Sequence, residues 1–236
     1  MTLAGRTYAV AGAGGALGPH AARALVAAGA NVALAGRSAS TLDALAQGLP
    51  EARVLVSAVD LLDPAAAQGW AAAAAERFGA VDGLLQLVGG WRGGTPLATA
   101  PDADWTAMHE LAVRTTQHAS RAFREQLAAA GPRGRFLLVS SLQARNPGAG
   151  SAAYAAAKAA AEAWTLALAD DLRGTGATAN VVVVNALVTP EQRTAEPRKA
   201  FKTFQRVEEV AATLAFLCSD AAGSMSGQRV VLAGAH

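Results

Sequence analysis

Val10-Ala-Gly-Ala-Gly-Gly-Ala-Leu-Gly18 lies between an apolar run at Thr7–Ala11 and a helical pattern from about Leu17 to Ala28. A strand, a glycine-rich turn and a helix in this order open a βα unit. Glycines let the backbone turn tightly, and a helix N-terminus directs amide hydrogens and positive dipole charge at an anion. The segment therefore predicts an α/β fold that binds the pyrophosphate of a dinucleotide. A plain tight turn in a Gly- and Ala-rich chain is the alternative. The residues assigned to this contact are Gly12, Gly14, Gly15, Leu17 and Gly18.

Strand and helix patterns alternate along the rest of the chain. Further strands are predicted at 31–35, 53–59, 83–88, 135–140, 178–187 and 229–233, and helices at 41–47, 63–78, 104–130, 151–172 and 207–217. Repeated βα units of this length imply right-handed crossovers and a parallel sheet with helices on both faces. We predict a single dinucleotide-binding domain over 1–236, with a Rossmann-type doubly wound sheet of seven parallel strands in the order 3-2-1-4-5-6-7.

The composition excludes several classes of protein. The chain has 236 residues, of which 52% are hydrophobic, enough for a large core, and its net charge of +2 gives no basic patch for nucleic acid. An uncharged apolar run long enough for a membrane span is lacking. One cysteine, Cys218, cannot form an internal disulfide, which suits the cytoplasm. The histidines lack metal-ligand spacing, so we expect no metal. They are His20, His109, His118 and His236.

Tyr154 and Lys158 lie four residues apart in an alanine-rich stretch. A helix places residues with this spacing on one face. A nearby positive charge favours a phenolate, so Lys158 is expected to lower the pKa of Tyr154 below its usual value of about 10. Ser141 follows the predicted fifth strand and supplies a hydroxyl. Together they predict a site that donates and accepts protons. An ordinary amphipathic helix after a strand-end serine is the alternative.

Gly36-Arg37-Ser38 follows the second predicted strand. NAD sites commonly place a carboxylate here for the ribose 2′-hydroxyl, and this chain has none. Arginine pairs with phosphate in a bidentate fork. Arg37 therefore predicts a preference for NADP(H), with a solvated arginine as the alternative.

Along its whole length the chain resembles the short-chain dehydrogenase/reductase family. The glycine turn, Ser141 and the Tyr154-x-x-x-Lys158 pair follow the family's order, and Asn185-Ala186 matches a pair in its sixth strand. The resemblance implies hydride transfer between NADP(H) and a carbonyl or alcohol substrate. It gives Tyr154 the role of general acid/base, Lys158 a bond to the nicotinamide ribose, and Ser141 a bond to the developing oxyanion.

The resemblance also implies contacts outside these motifs. Asp60 matches the aspartate that contacts adenine, and Thr194 matches the threonine that binds the nicotinamide carboxamide. Segment 189–206 would cover the substrate, and its cationic excess is either a solvated face or attracts phosphates or an acidic substrate. Homodimers or homotetramers would form through the helices at 104–130 and 151–172. We assign Leu61, Val88 and Gly89 to the cofactor and Trp91 and Gln143 to a small-molecule substrate.

The chain departs from the family pattern at several positions. Ala11 and Ala16 replace a threonine and a glycine of the glycine motif, and Gln86-Leu87-Val88-Gly89 replaces Asn-Asn-Ala-Gly. Ala112 replaces the catalytic asparagine, which in the family helps to hold a water that passes protons to the lysine. We therefore expect another proton route, with water along Lys158.

A local match suggests a second function. Val88-Gly-Gly-Trp-Arg-Gly-Gly94 is similar to the Gly-Gly-Trp-x-Gly-Gly stretch of dihydropteridine reductases, which also lack the asparagine. Those enzymes prefer NADH and generally lack the serine, so Arg37 and Ser141 argue against direct identity. Three functions stay open: an NADP(H)-dependent carbonyl reductase or alcohol dehydrogenase, a pteridine-type reductase, and a nucleotide-binding protein that has lost efficient catalysis.

Overall fold

The computed structural model describes residues 2–232. Its main sheet contains β1 (Thr7–Ala11), β2 (Asn31–Gly36), β3 (Val54–Ala58), β4 (Gly83–Gln86), β5 (Arg135–Ser141), β6 (Thr178–Val184) and β9 (Arg229–Val231). A small second sheet pairs β7 (Ala186–Val188) with β8 (Phe204–Arg206). The helices are α1 (Gly18–Ala27), α2 (Ala39–Ala46), α3 (Pro64–Phe78), α4 (Asp102–Met108), α5 (Thr115–Ala129), α6 (Ala152–Asp171), α7 (Pro190–Ala195) and α8 (Val207–Leu217).

The main sheet has the order β3-β2-β1-β4-β5-β6-β9, and its neighbouring strands are parallel. Since β9 is its seventh strand, the predicted fold and strand order are confirmed. Residues of α1 and α8 pack on one face, and residues of α3, α5 and α6 on the other. Strands β5 and β6 are buried along their whole length, as expected for a parallel sheet covered on both faces. The carboxyl ends of the strands meet at one edge, which brings together the segments that follow β1 to β5.

Two predicted strands and one predicted loop differ from the structure. The predicted strand 178–187 is divided at Asn185, whose backbone N–H donates to Gln205 Oε1 at 2.7 Å instead of continuing the sheet. Segment 189–206, the predicted substrate-covering loop, contains α7 and β8, and Thr189 and Gln192 form a capping box at the start of α7. The last strand ends at Val231, so Leu232 is not part of it; Ala233, the end of the predicted range, lies outside the described residues, as does His236.

The long helix predicted before β5 is not continuous. A π-helical turn, His109–Arg114, separates α4 from α5 and contains Ala112. The Thr115 hydroxyl donates to Leu111 O at 2.7 Å, and Gln86 Nε2 donates to the same hydroxyl at 3.0 Å. These bonds hold the wide turn against the end of β4. Such turns are rare, and they occur frequently at functional sites.

Arg135 holds the opposite edge of the sheet, where the strands begin. Its fully buried guanidinium donates to Leu217 O and Ser219 O, both at 3.1 Å, at the C-terminal end of α8. It also donates to the carbonyls of Pro132 and Gly134, at 2.8 and 2.9 Å. Burial lowers the pKa of this guanidinium. The side chain therefore supplies hydrogen bonds to four carbonyl groups.

Arg135→Met is expected to lower the free energy of unfolding by about 3 kcal/mol or more, because several carbonyls lose charged donors. Urea denaturation measures this difference. Arg173→Met, which changes an exposed arginine at the end of α6, should stay within about 0.5 kcal/mol of the unmodified protein. Equal stability of both variants would contradict the role given to Arg135.

Candidate active site

The turn after β1 requires glycine at two positions. Gly12 has φ +79°, and a Cβ atom there would lie 2.9 Å from Val88 N. A Cβ at Gly18 would lie 2.2 Å from Ala13 O. Larger residues would therefore push the turn away from the segment after β4 or from the start of α1. The turn forms one wall of a cavity.

The cavity has a volume of about 600 Å³ and lies at the carboxyl edge of the sheet, a size and position typical of cofactor sites. It is lined by most of the residues predicted to bind the cofactor: Gly12, Gly14, Gly15, Arg37, Asp60, Leu61, Val88 and Gly89. Leu17 and Gly18 are buried at the start of α1 and do not line it. The structure thus brings together residues from four separate connections.

Two hydroxyl groups lie near Arg37 at one end of the cavity. Ser38 caps α2, accepting from Thr41 N at 3.3 Å, and the Ser38 and Thr41 hydroxyls lie 2.9 Å apart. Both residues line the cavity beside the exposed Arg37. A guanidinium, two hydroxyls and a helix N-terminus together suit a phosphate group. Ser38 and Thr41 were not among the predicted cofactor-binding residues, although the sequence shows the polar start of this helix.

His118 holds the loop after β3. This buried side chain on α5 contacts Leu61 O through Nδ1 at 2.9 Å. Asp60 Oδ1 accepts from Leu62 N at 3.0 Å within the same loop. His118 therefore has a structural role, at a loop predicted to contact adenine.

Ser141 and Tyr154 interact near the end of β5. Ser141 is buried, and its Oγ accepts from Gln143 N at 3.2 Å, which leaves the hydroxyl proton free to donate elsewhere. Burial raises the pKa of Tyr154, and the Ser141 hydroxyl partly offsets this by favouring the phenolate. The expected lowering of this pKa by Lys158 is therefore wrong in direction.

Lys158 is turned toward the main chain of β5, which explains why it does not lower the pKa of Tyr154. Its buried Nζ donates to Val139 O at 3.0 Å. Burial lowers the pKa of Lys158 to about 8, and the negative charge of Glu162 acts against this lowering. The helical spacing was predicted correctly, but desolvation dominates at both residues.

Gly89 connects the cavity with Lys158. A Cβ atom at Gly89 would lie 3.6 Å from Lys158 Nζ. Gly89 also lines the cavity. The ammonium therefore lies beside the cavity wall, where the resemblance places the nicotinamide ribose.

Ala112 contributes an apolar surface where the family has its asparagine. It forms a small buried cluster with Met108 and Ala157, and Tyr154 packs against this cluster. Ala157 lies one residue before Lys158 on α6. The side chain at position 112 is therefore unable to hold a water by hydrogen bonding.

The two residues assigned to the substrate differ in their surroundings. Trp91 is 58% exposed, and a Cβ at Gly93 would lie 3.0 Å from its ring, so the ring folds over its own loop. Gln143 follows Ser141, and its buried Oε1 has no hydrogen-bond partner among residues 2–232. The exposed aromatic face of Trp91 is therefore available to a small molecule, whereas the amide oxygen of Gln143 is buried.

Thr194 and the cationic segment lie apart from the cavity. The exposed Thr194 donates its hydroxyl to Pro190 O at 3.0 Å within α7 and does not line the cavity. Arg193 pairs with Glu208 at 2.6 Å, and Lys199 with Glu196 at 3.0 Å. These pairings favour the interpretation of this segment as a solvated face.

Between residues 2 and 232, histidine, cysteine, aspartate and glutamate side chains form no group of three that could hold a metal ion. Within this range, too, no helix has the length and apolar character needed to cross a membrane.

Known proteins match nearly the full chain. A family model described as enoyl-(acyl carrier protein) reductase matches residues 12–234. Meso-2,3-butanediol dehydrogenase of Serratia marcescens is 30% identical over 99% of this chain and 95% of its own. A short-chain dehydrogenase/reductase described as glucose/ribitol dehydrogenase from Brucella melitensis is 27% identical and superimposes with a TM-score of 0.85, covering 98% of this chain and 97% of that one. A blue fluorescent protein from a metagenomic library, solved in complex with NADPH, is 29% identical with a TM-score of 0.85, covering 99% and 98%.

Proposed function

Because this chain belongs to the short-chain dehydrogenase/reductase family, we propose that it is an NADP(H)-dependent oxidoreductase acting on a carbonyl or alcohol substrate. The observation that carries the proposal is the junction at Gly89, where the nucleotide-sized cavity meets Lys158 and the helix that bears Tyr154. The butanediol dehydrogenase relative, which acts on an alcohol, supports the substrate class. The NADPH bound to the metagenomic protein supports the cofactor.

The residues of the chain divide the work of the reaction. When bound, the nicotinamide supplies or accepts the hydride. Tyr154, whose raised pKa keeps it protonated at neutral pH, donates the proton to the carbonyl oxygen during reduction. Ser141 donates a hydrogen bond from its hydroxyl to the same oxygen as charge develops there. Burial lowers the pKa of Lys158 to about 8, so this residue can return a proton toward Tyr154 and replace the asparagine route that Ala112 lacks.

Arg37 is proposed to select NADP(H). With Ser38 and Thr41 it can bind the 2′-phosphate of NADPH. NADPH should therefore bind at least about tenfold more tightly than NADH, which corresponds to about 1.4 kcal/mol or more of binding free energy. Arg37→Ala should remove most of the difference, as measured by fluorescence titration with both cofactors. Arg77→Ala, an exposed arginine on α3, is the control and should keep the preference. Equal affinities in the unmodified protein would refute the assignment.

A pteridine-type reductase is the second candidate. The exposed ring of Trp91 offers a stacking surface for a planar heterocycle, and the apolar contact at Ala112 occurs beside Tyr154. Oxidation of NADPH with ketones, quinones and quinonoid dihydropterins separates the candidates. Turnover with ketones supports the main proposal, and turnover with pterins alone supports the second. NADPH binding without turnover on any of them would support a binding protein with weak catalysis.

The remaining proposals concern organisation. We retain a single catalytic domain over 1–236, a substrate-covering role for 189–206, and a cytoplasmic homodimer or homotetramer formed through 104–130 and 151–172. Trp105, on the first of these helical segments, and Leu166, on α6, are exposed apolar side chains that such an interface would cover. Sedimentation velocity tests the oligomeric state.

A further inference from the structure

A buried ion pair lies behind the candidate active site. Arg229 Nε on β9 lies 2.8 Å from Glu162 Oε2 on α6, and the two side chains are 14% and 8% exposed. Burying a charged pair costs desolvation energy, so such a pair is weak evidence for stability by itself. Its position relative to the catalytic residues is more informative.

Glu162 lies on the same helical stripe as the catalytic pair. Tyr154, Lys158 and Glu162 follow one another at intervals of four residues along α6, which places them on one side of the helix. Glu162 is thus one turn beyond Lys158, on the side away from Tyr154.

Arg229 connects this helix with the third catalytic residue. Its Nη2 donates to Ser141 O at 3.4 Å, while its Nε binds Glu162. Arg229 pairs with Val181 on β6, the strand beside β5. One guanidinium therefore joins the end of β5, which carries Ser141, to the helix that carries Tyr154 and Lys158.

The charges around Lys158 have opposite effects. Glu162 favours the ammonium form, and its Oε1 has no hydrogen-bond partner in the part of the chain that the structure describes, so Arg229 does not engage both oxygens. Arg229, from β9, brings a positive charge that partly compensates Glu162. Tyr154, the other titratable group on this side of α6, stays neutral at neutral pH because its pKa is raised.

We propose that Glu162 and Arg229 are positioning residues of the active site. Glu162 keeps Lys158 cationic inside the protein, and Arg229 holds Glu162 and the Ser141 end of β5 in fixed positions relative to each other. The kinetic consequence rests on the proposed oxidoreductase function, whereas the effect on the charge of Lys158 does not. A purely structural pair, which only ties α6 to β9, is the competing explanation.

Lysine NMR tests the charge effect directly. The chain has three lysines, Lys158, Lys199 and Lys202, so ¹³C-labelled lysine gives few signals, and Lys158→Arg assigns the buried one. Glu162→Gln should lower the titration midpoint of Lys158 by about one pH unit or more, because the favourable charge is lost. Arg229→Gln should raise it, because Glu162 is then uncompensated. Asp170→Asn, an exposed change at the end of α6, is the control and should leave it unchanged.

Opposite shifts in the two variants support the proposal, and unchanged midpoints in both overturn it. If one single variant does not fold, Glu162→Gln/Arg229→Gln removes the pair without leaving a lone buried charge, and its midpoint should lie between the expected values of the single variants. A midpoint of the double variant outside that interval would also contradict the assignment.

Kinetics then test the consequence for the reaction. In carbonyl reduction, kcat/KM should fall as pH rises through the titration of Lys158, and Glu162→Gln should move this fall to lower pH with little change in the Kd for NADPH. Absence of turnover in the unmodified protein would refute the proposed function and leave the NMR result standing. An unshifted pH profile in an active Glu162→Gln variant would refute the positioning role alone.

Discussion

Replacing Tyr154 by phenylalanine is expected to lower kcat for carbonyl reduction by about 10²–10⁴-fold, the range of a lost general acid. The phenol is half-buried beside Ser141, and its raised pKa makes it a proton donor at neutral pH. Phenylalanine keeps the ring that packs against the Met108, Ala112 and Ala157 cluster. The loss should therefore appear in kcat, measured by NADPH oxidation, with an unchanged Kd for NADPH.

Tyr8→Phe is the matched control, since the chain has two tyrosines. Tyr8 is buried at the opposite edge of the sheet, where its hydroxyl donates to Cys218 O at 2.8 Å. The same chemical change there should lower stability by about 1 kcal/mol and leave kcat nearly unaltered. Near-full turnover in Tyr154→Phe would end the assignment of Tyr154.

Ser141→Ala is expected to lower kcat by about 10²–10³-fold, the cost of one donor to a developing oxyanion. The Ser141 hydroxyl already accepts from Gln143 N, so its proton is free for the substrate oxygen. Removing it leaves Tyr154 without its neighbouring hydroxyl, and the pKa of Tyr154 should rise further. The measurement is kcat with saturating NADPH and a ketone substrate.

The adjacent serine provides the control. Ser140 is also buried on β5, and its side chain points to the other face of the sheet. Ser140→Ala should keep kcat within about threefold, because it removes a hydroxyl that takes no part in the reaction. The loss of a single hydroxyl group also changes the packing of β5 only slightly. Equal losses in both variants would indicate a general disturbance of β5 instead of a catalytic role for Ser141.

Most of the fold was predictable because its signals are local. Short apolar runs predicted each strand of the main sheet, and the positive φ of Gly12 and the contact of Gly18 with Ala13 require glycine for steric reasons that act over a few residues. The wide turn at 109–114 was not predictable. Alanine at position 112 suits an α-helix, and the bonds that hold the wide turn involve Gln86, a residue of another strand.

The residues that form the candidate site were easier to predict than the charges and pKa values within it. Most residues assigned to the cofactor line one cavity, whereas Thr194 lies outside it with its hydroxyl bound within α7. Ser38 and Thr41 were missed, although they lie beside Arg37. The residues that belong to the site lie at strand ends, and the sequence reveals where strands end. Contacts between their side chains depend on the paths of loops, which the sequence does not reveal.

By itself, the sequence determined the order of strands and helices, the glycine turn and the helical spacing of Tyr154 and Lys158, because periodicity and backbone sterics act between near neighbours. Only the tertiary structure decided the charge environment. Burial raises the pKa of Tyr154 and lowers that of Lys158, and a glutamate and an arginine 67 residues apart meet behind them. Desolvation and ion pairing depend on which distant segments exclude water from a side chain, so they arise only when the sheet and its helices are assembled.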